Sequence, residues 1–278
     1  MKESQILKIV IIITIVVGAL TLLIWRPNEP FQILALLGAL SWIILISDLI
    51  IRLFIKPNIT LILGKEIEIG FNSLGPIINN QIAIMSESKS SLINNIELTL
   101  KHKDNATYIF NWQWFEEKLY EMLIPENLQN INARKTQKAT AIKINSNEMV
   151  EKKIGFQQTE HLNQFHTLTQ KLTKKFLIIK SNPNEDIETL KNTNEYDNMK
   201  QLADNSFLWK VGKYEIEYKV FVMGLKKPFS EKQNFELTEL DVSTLKLNIL
   251  LYKQSIDVSY GLSDGNQPHY YWVNTQEK

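Results

Sequence analysis

The chain has no cysteine in 278 residues, which excludes disulfides, thiolate metal sites and a cysteine nucleophile. Histidine is scarce as well: His102, His161, His166 and His269 are the only four. His161 and His166 stand five apart and diverge on a helix, unlike the four-residue spacing that lets two imidazoles share a metal. No metal site is expected. Ten glycines leave little material for phosphate-cradling loops, and no nucleophile elbow, P-loop or dinucleotide fingerprint occurs. Formal charge is nearly balanced at +1, so there is no electrostatic basis for sequence-specific nucleic-acid binding. The acidic pairs Glu116-Glu117 and Glu215/Glu217 fall on faces expected to be exposed. With no catalytic constellation and no cofactor motif, the chain reads as a non-enzyme.

Apolar residues, by contrast, are concentrated at the start. Ile9 to Trp25 carries no charge and is bracketed by Lys8 and Arg26, and after Arg-Pro-Asn-Glu-Pro a second run extends from Phe31 to Ile55. A bilayer core of about 30 Å takes roughly 20 apolar residues at about 1.5 Å each. Residues 1–56 therefore read as a transmembrane helical hairpin, with spans at about 6–25 and 31–52 and the prolines marking the reversal. The first run is too long, and too close to the second, for a signal peptide. Lys2, Lys8, Arg52 and Lys56 against Arg26 place both termini in the cytoplasm of a bacterial inner membrane; abundant Ile, Asn and Lys suit an AT-rich bacterial genome. Asp48 and Arg52 share a helix face as a membrane polar pair. Small residues at Thr14/Gly18 and Ala35/Ala39 permit close helix approach. The expected partners are the lipid bilayer and either further copies of the chain or other membrane subunits.

From Pro57 onward the pattern changes to strands. Ile59–Leu63, Ile67–Phe71 and Ile82–Ile84 are short β-branched runs, broken by Gly64, Asn72 and Gly75-Pro76. Ile96–Leu100 and the run Tyr108, Phe110, Trp112, Trp114 form a hairpin about a Lys-His-Lys-Asp-Asn tip. Ala139–Ile144, Val150–Phe156 and Tyr214–Val220 follow, the last with Tyr214, Ile216, Tyr218 and Val220 on one face. Phe115–Met122 reads as a short helix. Leu162, Phe165, Leu168, Leu172 and Phe176 mark an amphipathic helix from Gln158. Another starts near Asp241, with Val242, Leu245, Ile249, Tyr252 and Ile256 in a stripe. Residues 181–205 read as a polar loop, so that a polar helix/loop insertion covers about 158–205. The expected fold is a membrane-anchored, mainly β chain in which residues 57–278 form an antiparallel β-sandwich or barrel-like domain with inserted helices.

The candidate ligand-binding residues are aromatic faces beside cations: Trp112 and Trp114 on one strand face, with Lys101, Lys103, Arg134 and Lys135 nearby in sequence and a small nucleotide as the ligand. Alternating strand tryptophans also make core. The layout resembles bacterial two-span β-domain effectors of antiphage signalling systems, a likeness of architecture that no motif carries; it implies a nucleotide-responsive domain acting on the membrane. The expected function is a binding or sensory module coupled to its two-helix anchor. The alternative is a non-catalytic structural or assembly subunit of a larger membrane complex.

Overall fold

Period-two alternation of apolar and charged residues gives a strand one face to bury and one to expose. The computed structural model describes residues 56–123 and 130–276, without the side chains of 117–134, and repeats that alternation through ten strands. These are β1 (Asn58–Asn72), β2 (Gly75–Glu87), β3 (Ser91–His102), β4 (Thr107–Leu123), β5 (Asn130–Lys138), β6 (Ile142–Ile144), β7 (Glu148–Gln158), β8 (Gly212–Val222), β9 (Phe229–Leu237) and β10 (Trp272–Gln276). They form one sheet in the order β10-β1-β2-β7-β4-β3-β8-β9, with β5 added to β4 and β6 to β3. Its two ends, β9 and β10, approach each other, so the sheet nearly closes into an antiparallel barrel.

Ile67, Ile69 and Phe71 of β1, Ile78 and Ile82 of β2, Leu98 and Leu100 of β3, Phe156 of β7 and Ile216 and Tyr218 of β8 fill the interior and are fully buried. Burial of each such side chain stabilises by about 1.5–3 kcal/mol. A polar chain crosses this core near the seam. Asn80 Nδ2 donates to Tyr218 Oη at 2.8 Å and to Gln233 Oε1 at 2.9 Å, and Gln233 Nε2 donates to the Gly64 carbonyl at 2.7 Å. It ties β8, β2, β9 and β1 together where backbone pairing runs out.

Helices close one end: α1 (Thr159–Ser181), a 3-10 helix at Ile187–Asn192, α2 (Asn194–Asn205) and α3 (Glu239–Ser259). α3 begins in a capping box, with the Thr238 hydroxyl accepting from Asp241 N–H and the Asp241 carboxylate accepting from Thr238 N–H. Phe71 meets Phe207 edge-on at 5.4 Å and stacks on Tyr252 of α3 at 5.9 Å. His161 of α1 is buried against Gly75, whose φ of +84° no side chain would favour and whose missing Cβ leaves room for the imidazole. Asn58, Ser86–Ser90 and Asn145–Asn147 belong to a second, smaller compact unit. Within it the Asn147 N–H donates to the Ser86 carbonyl at 2.7 Å.

The spans at about 6–25 and 31–52, with Asp48 and Arg52, lie outside the described residues. Among the described residues no helix is long and apolar enough to cross a membrane; α1 and α3 carry too many charged residues. The membrane-anchored fold class and the multi-pass inner-membrane location with both termini inside are therefore corrected to a mainly β fold without a described spanning helix. The sensor coupled to a two-helix anchor and the subunit of a membrane complex are withdrawn with them. The two-sheet sandwich gives way to a single, nearly closed sheet. Phe115–Met122 is strand, the continuation of β4. Gly64 interrupts nothing, because β1 runs straight through it. Residues 181–205 fold into two helical elements that bury Leu190, Tyr196, Met199, Leu202 and Ala203.

Candidate binding cleft

The outward faces of β1, β2 and β7 should be plain solvent-facing sheet, yet they enclose a cleft of about 570 Å³. Its floor is polar. Glu68 Oε2 accepts from Asn79 Nδ2 at 2.7 Å and pairs with Lys153 Nζ at 2.9 Å. Gln81 Nε2 donates to Glu151, and Lys65, Glu66, Ala83 and Asn274 complete the rim. Three carboxylates face two ammonium groups, so the cleft is weakly acidic. Glu68 and Glu151 are each already occupied as acceptors, which suits holding a ligand better than moving protons.

Two amides set the cleft apart. Asn79 and Asn80 both line it and are only 8% and 1% exposed, and the Oδ1 of each lacks a hydrogen-bond partner. A buried acceptor left unpaired costs about 1–3 kcal/mol, and native structures contain few of them. Adjacent residues of a strand face opposite ways, so Asn79 reaches Glu68 on the outer face and Asn80 reaches Tyr218 in the core. Gly64 lies against this pair: a Cβ there would come within 3.1 Å of Asn80 Oδ1 and 2.8 Å of the Gln81 carbonyl. Burial, the larger effect, pushes the Tyr218 phenol up, against the opposing hydrogen bond from Asn80.

The residues proposed from sequence are not brought together. Trp112 is core, paired with Phe156 across β4 and β7 and edge-on to Phe115 at 6.3 Å. A bulge between Trp112 and Trp114 reverses the face, so Trp114 lies outside, over Gly155. Lys101 and Lys103 sit at the far end of β3, where with Lys213 they line a separate cleft of about 500 Å³. Lys135 is exposed on β5, and the side chain of Arg134 lies outside the described ones. Neither tryptophan lines the cleft of Lys101 and Lys103. His102 and Asp104 do occupy the expected hairpin tip, with a structural role. Asp104 takes Lys210 Nζ at 2.6 Å, the Ala106 N–H at 3.0 Å and His102 Nδ1 at 2.9 Å. Lys210 above all holds the Asp104 carboxyl well below the usual carboxylate range.

Asn79, Asn80, Glu68 and Lys153 were not singled out by spacing or motif. The one available signal was the Asn-Asn-Gln run inside an apolar strand, which must point an amide inward whichever register is chosen.

No protein-family model matches the chain, and no curated protein matches it. Among solved structures it is similar to the sporulation control protein Spo0M of Bacillus subtilis at a TM-score of 0.23 and 10% identity over 66% of this chain. It is also similar to a family 123 glycoside hydrolase from Clostridium perfringens, a structure concerned with glycolipid glycan hydrolysis, at 0.30 and 10% over 66%. The chain spans 48% and 28% of those proteins' lengths. Likenesses at this level carry no part of the argument below.

Proposed function

We propose that this β domain is a non-catalytic binding module and that its ligand occupies the outer cleft of β1, β2 and β7. The observation that carries the reading is the polar floor of the cleft, where Glu68, Lys153, Gln81 and Glu151 converge around Asn79. The carboxylates of Glu66, Glu68 and Glu151 outnumber the ammonium groups of Lys65 and Lys153, so the ligand is one that presents hydroxyl or N–H groups. The paired Glu68 and Lys153 fix its orientation, as a small number of convergent polar groups does in binding pockets generally. Glu68 and Glu151 are held by Asn79, Lys153 and Gln81, and the ligand is bound without being transformed.

The test is a saturation-transfer screen of the full chain against neutral saccharides, polyols, dipeptides and nucleotides, repeated on Ala83→Trp, which fills the cleft from its rim. Compounds that bind the wild-type chain should fail to bind Ala83→Trp and should still bind Lys103→Glu, altered in the other cleft. Hits that survive Ala83→Trp, or no hits at all, would sink the reading.

A further inference from the structure

Two tryptophans flank the cleft in an arrangement that core packing does not explain. A Cβ on Gly70 would fall 2.3 Å from the Trp272 ring, and one on Gly155 would fall 2.0 Å from the Trp114 ring. Each indole therefore lies flat against a glycine backbone. Both are on the outer side of the sheet, the side of the cleft. Trp272 is 37% exposed and Trp114 is half-buried, so each offers part of a large aromatic surface to solvent.

The strand registers fix where they stand. Trp114 is opposite Gly155, Gly155 is opposite Asn79, Asn79 bonds Glu68, and Glu68 is opposite Asn274. That is one row across β4, β7, β2, β1 and β10, with an indole at one end and the amide–carboxylate floor in its middle. Trp272 is opposite Gly70, two residues along β1 from Glu68, and closes the other end. Because the indoles lie over Gly155 of β7 and Gly70 of β1, two strand steps of about 4.8 Å put roughly 10 Å between them across the sheet.

We propose that the ligand of the cleft is a neutral oligosaccharide, laid across the outer sheet face with Trp114 and Trp272 as stacking platforms at its two ends. The proposal rests on the cleft being the binding site and adds the class of ligand. A pyranose ring has an apolar C–H face that covers an indole and a rim of hydroxyls that donate to carboxylate and amide oxygens; the cleft supplies both in alternation. The hydroxyls reach Glu68, Gln81 and Glu151 on the floor, and Glu66 and Lys65 remain for a further unit. A phosphorylated ligand is disfavoured by the excess of carboxylates over ammonium groups. A peptide adding as a strand needs a free sheet edge, whereas this is the face of paired strands. The separation of the platforms selects a chain of several sugars over a monosaccharide.

The experiment is calorimetric titration of the full chain with cellohexaose, chitohexaose and maltohexaose. At least one binds, Ala83→Trp abolishes the binding, and Trp272→Ala and Trp114→Ala each weaken it about tenfold, about 1.4 kcal/mol. Lys103→Glu leaves it unchanged. A hexasaccharide bound equally well by both tryptophan variants would overturn the platforms. If none of the three binds while another compound class binds in a manner abolished by Ala83→Trp, the oligosaccharide is wrong and the cleft stands. If Ala83→Trp abolishes nothing, both are wrong.

Discussion

Acidification should destabilise the helical cap through one side chain, His161. It is 1% exposed, stacked 6.1 Å from Phe165, edge-on to Tyr252 and seated on Gly75. Burial pushes its imidazole down to about 4 from 6.5. The unfolded chain then takes up the proton near pH 6.5 and the folded chain only near 4, so the unfolded state binds more protons between those values. The contribution is complete above pH 6.5 and lost as pH falls through 4. The interval between 6.5 and about 4 is worth about 3 kcal/mol at about 1.36 kcal/mol per pH unit. Urea unfolding of wild type and His161→Leu at pH 7, 5.5 and 4 isolates it, because every other group titrates alike in both. The wild type should lose about 3 kcal/mol more than the variant between the extremes. Parallel pH profiles, or an imidazole NMR midpoint near 6.5, would refute the burial argument.

Tyr218→Phe leaves a buried Asn80 N–H without its acceptor and should cost about 1–3 kcal/mol in urea unfolding, whereas no measurable loss would mean that the seam does not depend on the polar chain. Gly155→Ala forces Trp114 off the backbone, with an expected cost of about 1–3 kcal/mol and a changed near-UV circular dichroism spectrum; an unchanged spectrum would place the ring elsewhere. Thr238→Ala removes the α3 cap and should cost about 1 kcal/mol in the same assay, and a neutral result would make the capping box incidental.

Period two made much of the barrel legible. Tyr214, Ile216, Tyr218 and Val220 face inward as their spacing requires, the β3–β4 hairpin turns at the expected tip, and the stripe from Val242 to Ile256 is the buried side of α3. What stayed hidden depends on contacts distant in sequence. Whether Gly64 breaks a strand or lets another backbone approach is decided by Gln81 across the sheet. The bulge that parts Trp112 from Trp114 adds one residue to a register that only β7 defines, and with it a shared face became two faces. Residues 181–205 look polar because helices that cap a barrel bury narrow stripes such as Tyr196, Met199 and Leu202. The cleft was the least legible feature: Glu68, Asn79 and Lys153 come from three strands, and each alone is an ordinary outward polar residue. The apolar start of the chain, Ile9 to Ile55, lies outside the described residues.

The central claim is that ligand binds on the outer face of β1, β2 and β7. Hydrogen–deuterium exchange of the full chain, with and without the tightest compound from the binding screen, reads it most directly. Slowed exchange confined to Ile62–Glu68, Asn79–Ala83 and Glu151–Lys153 is the predicted result. Protection at Lys101–Lys103 and Lys213 instead, with those three segments unchanged, would contradict it.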